Sequence, residues 1–184
     1  MKKRMAGLLV CLYALLLAAA SFSFASAASS SDFTSGYYLC SLQDDGTAMI
    51  TGYTGEEAVL LLPAELEGVP VTAIGPSAFQ TNLDLIDLVI PEGVISLGDY
   101  AFQRCPNLTG VSLPATLEEV GLNPFAGCEA LLDIGVADDH PYLEVKDSVL
   151  FSKEDHRLIC YPRLMEKGAD EIPFGTRIIG ASAF

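Results

Sequence analysis

The chain has 184 residues, 51% of them hydrophobic and 18% charged, with a formal net charge of −14. Ten Lys and Arg against 24 Asp and Glu exclude the broad basic patches that nucleic acid and anionic membrane surfaces require. The balance fits a soluble extracellular protein or one with a basic partner, and solubility alone is the simpler reading.

Lys2, Lys3 and Arg4 precede an apolar run from Met5 to Phe24 and an A-x-A site at Ala25-Ser26-Ala27. This is the layout of a secretory signal peptide over residues 1–27. The competing reading is an uncleaved anchor, since a run of about 20 apolar residues can span a bilayer. Cleavage after Ala27 would remove three cations and no carboxylate, leaving seven Lys and Arg and a charge of −17. Cys11 follows Val10 instead of a small residue, which argues against a lipoprotein site. Residues 28–36 read as a flexible linker. Tyr37 to Leu42 and Thr47 to Tyr53 flank an Asp-Gly step at Asp45-Gly46, which predicts a hairpin. Residues 37–58 are thus expected to cap the open N-terminal edge of the unit that begins at residue 59.

From residue 59 to 184 one phrase recurs: Ile74-Gly75 to Ala78-Phe79, Leu97-Gly98 to Ala101-Phe102, Val120-Gly121 to Pro124-Phe125, and Ile179-Gly180 to Ala183-Phe184. Phe79, Phe102 and Phe125 are 23 residues apart, a period that means a solenoid of stacked supersecondary units. Short alternating runs at Leu88–Ile90, Val111–Leu113 and Ile134–Val136 predict strands with one buried face, leaving Val89, Ser112 and Gly135 outside. Pro63, Pro91, Pro114 and Pro173 stop each strand. Gly75, Gly98, Gly121 and Gly180 are expected to turn the chain with positive φ. The phenylalanines are expected to form a core ladder.

The phrases LVIPEGVISLGDYAFQRCPNL and VSLPATLEEVGLNPFAGCEAL resemble the BspA-type leucine-rich repeats of secreted and surface bacterial proteins. The resemblance covers roughly residues 46–184. It implies a leucine-rich-repeat solenoid of short β-strands joined by turns and short helical or 3₁₀ segments, behind an N-terminal β-hairpin cap. Ala137 stands where proline is expected, and residues 137–169 break the period. Two strands, Leu143 to Phe151 and Leu158 to Tyr161, are expected there around a turn at Ser152 to Arg157, forming an oversized irregular coil. The chain ends on Phe184 at a core position, which predicts a truncated array.

Cys40, Cys105, Cys128 and Cys160 would survive processing, and secretion permits disulfides. Cys105 and Cys128 share one repeat position, so free buried thiols are the favoured reading. Little chemistry is visible. His140 and His156 are the only histidines and form no metal spacing or nucleophile setting. Calcium at Asp133, Asp138 and Asp139 is outweighed by a solvated acidic turn. No cofactor, metal or catalytic residue is expected, and a secreted hydrolase with a hidden carboxylate pair is the remote alternative.

The reading is therefore a non-enzymatic, secreted or surface-associated module for binding and adhesion. The resemblance implies a host matrix or cell-surface protein as partner, with no nucleic acid and no membrane after signal removal. The candidate contact residues are Val89, Ser112, Gly135, Asp138, Asp139, His140, Tyr142 and His156. The rival is a structural spacer that presents another domain of a larger surface protein.

Overall fold

The computed structural model describes residues 32–162 and 172–184. The signal segment, the start of the linker and residues 163–169 of the oversized coil lie outside the described residues.

The chain winds as a β-solenoid of about five turns. In order its strands are β1 (Asp32–Ser35), β2 (Tyr38–Leu42), β3 (Ala48–Tyr53), β4 (Val59–Leu61), β5 (Glu65–Leu66), β6 (Val69–Ile74), β7 (Asp87–Val89) and β8 (Ser96–Leu97). Next come β9 (Gly110–Ser112), β10 (Glu119–Val120), β11 (Asp133–Gly135), β12 (Leu143–Lys146), β13 (Val149–Ser152), β14 (Arg157–Cys160) and β15 (Ile178–Ile179). One sheet runs β1-β2-β3-β6-β8-β10, with β5 on β6; a second runs β4-β7-β9-β11; a third runs β12-β13-β14-β15. The second sheet is wholly parallel, and its register advances by the sequence period: Asp87 pairs with Gly110 and Gly110 with Asp133.

Residues 32–35, read from the sequence as linker, form β1 instead. Phe33 pairs with Cys40 and packs against the core, which outweighs the polar serines around it. The hairpin of β2 and β3 continues into the solenoid because β3 pairs with β6 in parallel.

The helical or 3₁₀ segments expected between strands do not form among the described residues; the corners are turns. The amides of Ser77, Phe79 and Thr81 donate to Asp99, Ala101 and Gln103 of the next coil, while those of Ala78, Gln80 and Asn82 bond back within the turn. A helix would need all of them inside its own segment. The alternation is made possible by left-handed φ at Ser77 (55°) and Thr81 (60°), repeated one coil later at Tyr100 (56°) and Arg104 (57°). Asn123 is absent from this set because Pro124 comes directly after it, and a residue before proline is driven to extended backbone.

The glycines at 75, 98, 121 and 180 are not where the chain adopts positive φ. Their role is close approach between coils. A Cβ on Gly98 would lie 2.6 Å from the nitrogen of Pro76 and 2.7 Å from the carbonyl carbon of Gly75; one on Gly180 would lie 2.7 Å from the Leu158 oxygen. Stacked glycines thus let the corners pack backbone on backbone.

Within the stack Leu88, Val111 and Ile134 point inward from the second sheet and Ile74 and Leu97 from the first. The phenylalanine ladder is continuous with two tyrosines: ring centroids are 5.1 Å apart for Tyr38–Tyr53 and Tyr53–Phe79, 4.8 Å for Phe79–Phe102 and 5.8 Å for Phe102–Phe125. Tyr161 and Phe184 stack at 5.2 Å beyond them. The repeat-position cysteines have a polar duty too. Cys105 Sγ donates to the Phe79 carbonyl at 3.2 Å and Cys128 Sγ to that of Phe102 at 3.1 Å. Asn82, in the same slot of the first repeat, accepts from the amides of Asp84 and Leu85.

The oversized coil has three described strands where the sequence predicted two. The stretch from Leu143 to Phe151 folds on itself at Asp147 and Ser148, both with positive φ (50° and 64°), so that Lys146 faces Val149. That is the two-residue turn that antiparallel strands favour. β14 then rejoins the stack by pairing with β15 in parallel.

Candidate functional site

The outer face of the second sheet is built by the pleat. Leu88, Val111 and Ile134 go into the core, so their neighbours face out in two ranks. One rank is Leu61, Val89, Ser112 and Gly135; the other is Val59, Asp87, Gly110 and Asp133. The face is aliphatic at its N-terminal end, where Val59, Leu61 and Val89 are 56%, 67% and 39% exposed. Leu83 and Ile86, on the approach to β7, extend the apolar area. Toward β11 the face becomes small and polar, with Ser112 exposed and Gly135 half-buried. Thr109 hydrogen-bonds the Asp87 carboxylate at 3.3 Å, tying the two halves together. The sequence candidates Val89, Ser112 and Gly135 therefore share one rank. Leu61, missed from the sequence, completes it, and Val59, also missed, stands in the other rank; their signal was the longer first coil, whose strand aligns with β7 only once the extra residues are looped out.

The candidates of the irregular segment do not form one group. Asp138, Asp139 and Tyr142 are exposed, and His156 is half-buried in the turn before β14. His140 is corrected: it is not a surface contact but is 0% exposed. Its Nδ1 accepts the amides of Tyr142 (3.1 Å) and Leu143 (3.0 Å), and its Nε2 donates to the Pro114 carbonyl at 3.0 Å. A ring that accepts at Nδ1 and donates at Nε2 is neutral. Burial pushes its pKa down, and Lys153 nearby pushes the same way against Glu92 and Asp139. His140 thus fastens the irregular segment to the coil before it.

A second feature lies where the first sheet stops. A cavity of about 240 Å³ opens beside β10, lined by Glu118, Glu119, Tyr142, Glu154, Arg157 and Gly180 among others. Its sequence signal was the broken period itself: a strand next to an interruption loses its neighbour. Arg157 is engaged by Asp155, with Nε at 3.0 Å and Nη2 at 2.7 Å from the carboxylate.

Three of the four described thiols are held toward their protonated form. All four described cysteines are free and buried. Burial pushes the Cys160 thiol up to about 12 and raises that of Cys40; hydrogen bonding to Cys105, with burial, raises that of Cys128. Among the described residues no cluster of three or more His, Cys, Asp and Glu is placed to hold a metal, and no helix is long and apolar enough to cross a membrane.

A family model described as BspA type Leucine rich repeat region matches residues 71–153 with six copies. No curated protein matches the chain. Among solved structures it is similar to a leucine-rich repeat protein from Bacteroides capillosus ATCC 29799, with 26% identity, 58% of this chain and 99% of that one covered, and a TM-score of 0.45. It is also similar to the T. pallidum leucine rich repeat protein (19% identity, 56% and 71% covered, TM-score 0.38). A leucine rich cell surface protein from Faecalibacterium prausnitzii A2-165 is a third (23% identity, 80% and 66% covered, TM-score 0.36). Leucine-rich repeats of this kind are typically protein-interaction modules. With its stacked coils and its matched repeats, the chain carries BspA-type leucine-rich repeats over residues 71–153.

Proposed function

We propose that the chain is a non-enzymatic extracellular module that binds a protein partner, a host matrix or cell-surface protein, through the outer face of β4, β7, β9 and β11. The observation that carries this reading is the rank Leu61–Val89–Ser112–Gly135, in which large exposed aliphatic side chains grade into small ones on a hydrogen-bonded sheet. Rigid strands hold the rank in register, so little ordering entropy is lost on contact. Contiguous exposed apolar area of this kind marks interaction surfaces. Asp138, Asp139 and Tyr142 would contribute as a polar rim.

The test is capture of solubilised matrix and cell-surface proteins on the immobilised chain, compared with Val89→Arg/Ser112→Arg. Both positions are exposed, so the double variant is expected to fold. A saturable partner lost in that variant supports the reading, and a partner retained by it removes the outer face from consideration. A second reading is a spacer that presents another domain of a larger surface protein. The length and domain content of the whole gene product decide that one.

A further inference from the structure

In the first sheet each strand is both guest and host. The carbonyls of Ile95 and Leu97 accept the amides of Glu119 and Gly121 from the next coil. One period on, the equivalent carbonyls are those of Glu118 and Val120. Among the described residues no hydrogen bond ends on either, and β10 pairs with β8 alone. The register of Val120 with Leu97 also turns the Val120 amide away from β8, toward the same open side. The ladder resumes only at Leu158, whose carbonyl accepts Gly180 N–H at 2.8 Å.

The cavity of about 240 Å³ lies in this interval, with β10 as one wall and Tyr142, Arg157 and Gly180 on the other. Asn123 Nδ2 donates to the Ser182 carbonyl at 2.6 Å and closes one end. What the free edge lacks is two N–H groups with a carbonyl between them, which is what one extended segment supplies when it adds to a sheet. The lining fixes the charge of that segment. Glu118, Glu119 and Glu154 stand around the opening, while Arg157, the one cation among the lining residues, is taken up by Asp155.

We propose that the cleft beside β10 is a binding site, separate from the outer face of the second sheet, that receives an extended lysine- or arginine-rich segment of a partner protein as an added parallel strand. Its amides donate to the Glu118 and Val120 carbonyls, and its cationic side chains lie against Glu118, Glu119 and Glu154.

The probe is a fluorescent pentapeptide, Lys-Val-Lys-Val-Lys with blocked ends, titrated into the chain at low salt and followed by anisotropy. One peptide per chain is expected, with no binding of Glu-Val-Glu-Val-Glu. N-methylation of alternate amides is expected to weaken binding about tenfold, since it removes both strand hydrogen bonds. Glu118→Gln/Glu119→Gln is expected to weaken it about threefold, as exposed charge pairs do. Ala181→Trp, an exposed residue of the lining, should block uptake, and Val89→Arg/Ser112→Arg should leave it intact. No binding at low salt overturns the proposal. So does binding indifferent to N-methylation and to Ala181→Trp, which reports attraction to the acidic surface alone, and so does loss in Val89→Arg/Ser112→Arg, which puts the peptide on the outer face.

Discussion

The coils between Val59 and Gly135 and the segment from Leu143 to Cys160 are both made of short strands, but they satisfy their backbones in opposite ways. In the regular coils the strands and every second amide of the corners bond to a neighbouring coil, one repeat away. In the irregular segment β12, β13 and β14 pair with each other across tight turns, and contact with the stack runs through the pairing of β14 with β15, through His140 and through a few core residues such as Leu150 and Cys160. The first arrangement spreads stability along a column, so a fault in one coil is felt by both neighbours. The second concentrates it, so one residue can release the segment and leave the column standing.

The largest effect expected from breaking this contrast is at the centre of the column. Phe102→Ala empties a site between two stacked rings and should cost about 3–5 kcal/mol, measured as a fall in the denaturant midpoint of the whole chain. If the midpoint is unmoved, the ladder is not what joins the coils. Next comes a pair of glycines. Gly98→Ala drives a methyl into the backbone of the preceding coil and should cost about 1–3 kcal/mol. Gly135→Ala, whose nearest contact would be the Val111 oxygen at 3.6 Å, should stay within about 0.5 kcal/mol. Equal costs would show that backbone freedom, not coil spacing, selects these glycines.

The irregular segment should answer to pH where the column does not. His140 has its pKa lowered in the fold, so the unfolded chain binds a proton more readily than the folded one. Its contribution is therefore complete above the ordinary histidine value of about 6.5 and is lost as pH falls through the lower folded value. Wild type should lose stability between pH 7 and pH 5.5, and His140→Asn should start about 1–2 kcal/mol lower but lose little more over that range. Parallel curves for the two proteins would assign the acid sensitivity elsewhere. A modest effect is expected in the sulfur column: Cys128→Ala leaves the Phe102 carbonyl without its donor and should cost about 1 kcal/mol. In the native wild type a thiol reagent at pH 8 should find none of the four described cysteines until the chain unfolds.

The column was legible in the sequence because it repeats. Spacing alone placed Leu88, Val111 and Ile134 inside and Val89, Ser112 and Gly135 outside, and aligned the phenylalanines. What repetition hides is why a residue repeats. The glycines read as turns because positive φ is the commoner demand on glycine, whereas contact with the previous coil exists only once coils are stacked. Left-handed φ fell instead on Ser77 and Tyr100, which carry no such signal. In the irregular segment each feature occurs once. The turn at Asp147 and Ser148 lacks the Asn-Gly or Asp-Gly pair that marks such turns, and nothing local to His140 reveals that Pro114 lies above it. The cleft beside β10 arises from an absent neighbour, which a sequence shows only as a broken rhythm.

Because successive coils are joined strand to strand, the solenoid is also a ruler. Each 23-residue unit advances the outer face by one inter-strand spacing, about 4.8 Å, and turns it by the small fixed twist of a parallel ladder. Gain or loss of a unit would shift the distance between the aliphatic end at Leu61 and the cleft at β10 in whole steps, leaving each surface chemically intact. Reach can thus be retuned separately from recognition, by changing the count of coils and not their contents.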